Sequence, residues 1–112
     1  MAYDRELADR IREALGGVAQ VREVRMFGGL SFMVNGKIAA TANAGGQLMV
    51  RCDPGRIEAL LEREGASWPE MRGRKMSKGW IVVADGGTAS DQAFNFWLNE
   101  ALDYNTRLSA GG

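Results

Sequence analysis

The chain has 112 residues, 46% of them hydrophobic, and fourteen basic residues balance fourteen acidic ones for no net charge. That length builds one compact domain rather than two, so residues 1–112 are read as a single unit. A neutral chain has no long-range field to draw it onto DNA or an anionic membrane, so any such binding has to come from a local patch.

The opening "MAYDRELADR" is charged from Asp4 onward and lacks the apolar stretch of a signal peptide. No apolar run approaches the roughly 20 residues of a membrane span. The one cysteine, Cys52, excludes an internal disulfide framework and fits a reducing compartment. A soluble, cytoplasmic domain with no membrane association is expected.

Residues 4–15 are predicted to form a helix, because Tyr3, Leu7, Ile11, Ala14 and Val18 recur at steps of three and four while Asp9, Arg12 and Glu13 fall opposite. Gly16-Gly17 ends it. "VREVRM" reads as a strand. "LSFMV" and "KIAATAN" are joined by Asn35-Gly36, the strongest short hairpin signal, because a type I′ turn needs positive φ at both central positions. "QLMVRC" follows Gly45-Gly46, completing a meander of about four antiparallel strands.

Asp53-Pro54 is expected to open a second helix, with Asp as N-cap and Pro at the first helical position. Ile57, Leu60, Leu61 and Glu64 share its face, and Gly65 closes it. "EMRGRKMSKG" is a polar, basic connection. "WIVVA" is apolar at every position, so both faces of that strand are expected to be covered. Asp85-Gly86-Gly87 turns the chain. Thr88 and Ser90 compete to cap a last helix running to about Leu108, with Phe94, Trp97, Leu98, Ala101 and Leu108 on one stripe. Residues 109–112 are expected to form a loose tail. The predicted class is α+β: a two-layer arrangement of about five antiparallel strands with helices packed against them.

Gly28-Gly29 separates two strand patterns with almost no other residue to make the turn, which marks a bend or a close backbone approach. A phosphate cradle there is disfavoured, because no helix N-terminus follows. Together, "RMFGGLSFMVNGKIAA", "GGQLMVRCD" and "MRGRKMSKGWIVV" make the chain resemble the N-terminal domain of the TfoX/Sxy family of competence regulators. The glycines Gly28, Gly29 and Gly36 carry much of that likeness, which runs from about Tyr3 to Arg107. The resemblance implies a secretion-chaperone-like α+β domain and a role in transcriptional activation of DNA-uptake genes, exerted through other proteins. Full-length regulators of this family carry a second, helical C-terminal domain, so a stand-alone N-terminal-type domain is expected here. The family supplies no catalytic residue to carry over.

The residue inventory points the same way. There is no histidine, the commonest general acid–base and metal ligand. Cys52 lacks a base and is expected to be packed inside. Asp53 and Asp85, both at strand ends, would form a carboxylate pair only if they met. No catalytic residue, cofactor or metal is therefore assigned.

Two features remain as candidates. Arg72, Arg74, Lys75 and Lys78, bordered by Trp68 and Trp80, form the densest positive cluster. They fit an acidic protein partner, a weak nucleic-acid or anion site, or a solvated hairpin that protects a sheet edge. Phe96 lies nearly opposite the apolar stripe of the last helix, among charges, and is a candidate for self-association into a homodimer. Asn105 falls on the stripe itself and needs a hydrogen-bond partner there. The expected function is a non-enzymatic regulatory or adaptor domain that works through protein contacts. The alternatives are a nucleic-acid-binding domain or a small-molecule binder with a pocket between sheet and helices.

Overall fold

The computed structural model describes residues 4–18, 20–26, 28–71, 73–75 and 79–110. It is an α+β fold. Helix α1 (Arg5–Ala14) leads into strands β1 (Val21–Met26), β2 (Gly29–Val34), β3 (Lys37–Ala42) and β4 (Leu48–Arg51). A 3₁₀ turn (Pro54–Arg56) and a single helical turn, α2 (Ile57–Leu60), follow. Then come β5 (Ala66–Ser67), β6 (Glu70–Met71), β7 (Arg74–Lys75), β8 (Trp80–Val83), α3 (Asp85–Thr88) and α4 (Asp91–Ala110).

Six strands form one antiparallel sheet in the order β1-β2-β3-β4-β8-β5, and β6 and β7 form a separate two-stranded ladder. The meander is built from tight turns. At Asn35-Gly36 both residues have positive φ (55° and 79°), as the hairpin signal requires. Met26 pairs directly with Gly29, and Gly28, in the turn between them, has φ 76°. The sequence suggests about five strands; the extra ones are the two-residue pieces β5, β6 and β7 between Gly65 and Lys75, too short to show any alternation.

Helices cover one face of the sheet. Leu30, Phe32, Val34, Ala40, Ala42, Leu48, Val50, Ile81 and Val83 point into a core shared with Leu7, Ile11, Phe94, Trp97, Leu98 and Ala101. A bulge between Phe32 and Met33 keeps Phe32 and Val34 facing inward while the register with β3 shifts, and Ala39 is buried at that irregularity. Asp4 caps α1, its carboxylate accepting from the Glu6 and Leu7 amides at 2.8 and 3.2 Å. Arg12 then ties α1 to the edge strand, donating from Nε and Nη2 to the two oxygens of Glu23 at 2.6 and 2.7 Å. That fork raises the Arg12 pKa and lowers that of Glu23.

Asn105 meets its expectation. Its amide is buried and donates to the Val34 carbonyl at 3.0 Å, and its oxygen accepts from Asn35 at 3.4 Å. Helix α4 thereby grips the end of the β2–β3 hairpin.

Several local readings change. The second helix shrinks to a 3₁₀ turn plus one helical turn, since Gly55 beside Pro54 is a poor helix former. Asp53 still caps that segment through the Gly55 amide at 2.8 Å, but Glu64 is exposed rather than grouped with Ile57 and Leu60. Asp85-Gly86-Gly87 forms a short helix instead of a simple turn. Ser90, not Thr88, caps α4, accepting from the Ala93 amide at 3.0 Å. Helix α4 continues through Ala110, two residues into the segment expected to be loose; Gly111 and Gly112 lie outside the described residues, as does Tyr3.

Candidate functional site

No helix among the described residues covers the second face of the sheet. Antiparallel pairing fixes which residues point there. Met26 opposes Gly29, Ser31 opposes Thr41, Thr41 opposes Met49, and Arg51 opposes Trp80. These residues alternate with the buried core set, so they emerge on the other side. All of these but Arg51, together with Ile38, the β3–β4 loop (Asn43, Ala44, Gly45) and Pro69-Glu70, line a pocket of about 270 Å³. No helical residue lines it among those described. Pro69 and Glu70 lead into the β6–β7 ladder, so that hairpin borders the open face.

The pocket is mostly apolar. Met26, Ile38, Met49 and Trp80 are half-buried walls. Ser31 and Thr41 lie at 1% and 5% exposure with their hydroxyls 2.9 Å apart. Gly29 lets the strands close in, since a Cβ there would stand 2.5 Å from the Ala42 carbonyl oxygen. Asn43 holds the loop by accepting from the Gly45 and Gln47 amides at 3.0 and 2.9 Å. The Arg51 guanidinium lies 5.7 Å from the Trp80 ring centroid.

The alternative of a small-molecule binder places its pocket between sheet and helices. The pocket instead opens away from the helices, because Phe32, Trp97 and Ile11 fill the space between the layers at 1% exposure or less. The signal for it was present but weak. "WIVVA" was expected to be covered on both faces, yet only Ile81 and Val83 are buried; Trp80 and Val82 are half-buried on the open side. Ser31 and Thr41 gave no signal in the sequence, because two hydroxyl residues ten positions apart meet only through the strand register.

The basic segment is only partly described. Arg74 is exposed and Lys75 pairs with Glu70 in the β6–β7 ladder, so this stretch is a hairpin next to the open face. Arg72 and Lys78 lie outside the described residues. Phe96 is half-buried rather than free on a charged face. Its ring meets Trp97 edge-on at 5.3 Å, and the Arg63 guanidinium lies 3.6 Å above it. The helical wheel missed this because the chain on both sides of α2 reaches that flank of α4, Arg63 from after it and Arg56 from before it, donating to Glu100 at 2.9 Å.

The candidate reactive residues Cys52, Asp53 and Asp85 do not come together. Cys52 is fully buried, and burial pushes its thiol up to about 12, the wrong direction for a nucleophile. Asp53 and Asp85 do not meet. Leu48 pairs with Val83 and Arg51 with Trp80, so the two aspartates sit at opposite ends of the β4–β8 pair. Asp53 binds Gly55 and Arg107 instead, and those contacts lower its pKa, the Gly55 amide most. No group of three potential metal ligands comes together among the described residues, and none of their helices is long and apolar enough to cross a membrane.

The family model of the TfoX N-terminal domain matches residues 13–104. No curated protein matches the chain.

Proposed function

The chain belongs to the TfoX N-terminal domain family, and on that premise we propose that it is a non-enzymatic regulatory or adaptor domain acting through protein contacts in the cytoplasm to control genes of the DNA-uptake type. Family membership supports a competence-related regulatory or adaptor role. The observation that carries the contact reading is the helix-free face. It is an apolar concavity bordered by a hairpin that displays Arg74, and apolar surface rimmed by polar residues is what interaction sites look like. The exposed arginine favours a partner with acidic character.

Deleting the gene in its host and measuring DNA-uptake transcripts tests this. Transcripts fall, wild type restores them, and the Arg74→Glu/Lys75→Glu variant does not. Unchanged transcripts after deletion overturn the proposal. A fluorescence-anisotropy titration separates the adaptor from direct nucleic-acid binding. If all four basic residues touched phosphate, the salt slope would be about −3.6, a loss of roughly 150-fold between about 50 and 200 mM salt. The adaptor reading expects no binding at the lower of those concentrations.

A further inference from the structure

Ser31 and Thr41 form the polar floor of the open-face pocket. Their two hydroxyls carry two protons. One proton lies in the 2.9 Å bond between them, whichever residue donates it. The other has no acceptor among the described residues, although both side chains are more than nine-tenths buried. A buried hydroxyl with an unspent proton is a binding group awaiting a partner.

The rest of the pocket says what that partner looks like. An apolar cavity of about 150 Å³ holds one benzene ring, so 270 Å³ admits a ring with a short substituent. Trp80 offers a flat face, and Met26 and Met49 offer polarizable, adaptable walls. The one charged lining residue among those described is Glu70, exposed at the rim. A charged ligand would lose its hydration against the floor with no counter-charge to meet it there.

We infer that this pocket is a binding site for a neutral, single-ring molecule with one hydroxyl or carbonyl oxygen, which accepts the free proton of the Ser31–Thr41 pair. The site shares the open face with the proposed contact surface, but it is read from its own lining residues and is tested without a partner.

The test is an NMR titration of the ¹⁵N-labelled chain with p-cresol, toluene and benzoate. p-Cresol shifts the amides of Gly29, Ser31, Thr41 and Met49 saturably. Toluene, which cannot accept a hydrogen bond, binds the same residues about fivefold more weakly. Benzoate binds more weakly than p-cresol. In the Ser31→Ala/Thr41→Val variant both hydroxyls go together, so no orphan is left behind, and the p-cresol advantage over toluene disappears. The wild-type comparison decides even if that variant fails to fold. The inference is overturned if neither ring probe gives a saturable shift at those amides, if toluene matches p-cresol, or if benzoate binds as tightly.

Discussion

Gly28 and Gly29 are neighbours that resist substitution for different reasons, and two replacements at each position tell the reasons apart. Gly28 is exposed at the β1–β2 turn with φ 76°. An L-residue held in that left-handed region is strained by about 1–2 kcal/mol, with Asn tolerated better than Ala. Gly29 does not have positive φ; it lies inside β2. A Cβ there would meet the Ala42 carbonyl oxygen at 2.5 Å and the Asn43 Cα at 3.1 Å. Both are backbone atoms that cannot rotate aside, so the β2 and β3 backbones have to part. Overpacking of this kind costs about 1–3 kcal/mol, and a larger side chain does no better than alanine. With a urea m value of about 2 kcal/mol/M, Gly29→Ala and Gly29→Asn lower the unfolding midpoint by about 0.5–1.5 M. Gly28→Ala lowers it by about 0.5–1 M, and Gly28→Asn by less than half of that. Tryptophan fluorescence in a urea series reads all four. If Gly28→Asn is as damaging as Gly29→Asn, or Gly29→Ala is neutral, the assignment of turn strain to one glycine and close approach to the other is wrong.

Asn105→Leu leaves polar groups of the β2–β3 hairpin end without their partner, at a cost of about 1–3 kcal/mol. Calorimetry then shows Tm lower by about 5–20 °C, and an unchanged Tm rejects the grip of α4 on that hairpin. Native Cys52 reacts with a thiol reagent such as DTNB at pH 8 only as fast as the domain opens, because the thiol is buried and pushed up to about 12; immediate stoichiometric labelling contradicts this. Asp53 has a native pKa below its unfolded value, so its ionised form stabilises the fold above about pH 4, and that contribution fades as the pH falls through the lowered native value. Wild type therefore exceeds Asp53→Asn in Tm at pH 6, and the gap closes toward acid; a gap that does not vary with pH denies the ionic contribution.

Much of the frame was legible in local chemistry. Asn35-Gly36 announces a turn because almost nothing else fits its φ angles, and the structure has that turn. The α4 stripe of Phe94, Trp97, Leu98 and Ala101 is buried as its spacing demands. What escaped was set by tertiary contact. Arg63 reaches over Phe96 from 33 positions away, and no helical period encodes that. β5, β6 and β7 are two residues each, below the length at which alternation exists. The open-face pocket escaped for the same reason, since Ser31, Thr41 and Met49 become neighbours only when the register is known.

A neutral paramagnetic co-solute tests the one-sided covering of the sheet directly, by its enhancement of side-chain methyl relaxation. The Met49 and Ile38 methyls, on the helix-free face, relax strongly, while those of Leu48, Val50 and Ile81 stay protected beneath the helices. Met49 and Ile38 methyls as protected as those of Val50 would contradict an open face, and with it the surface on which the proposed contacts depend.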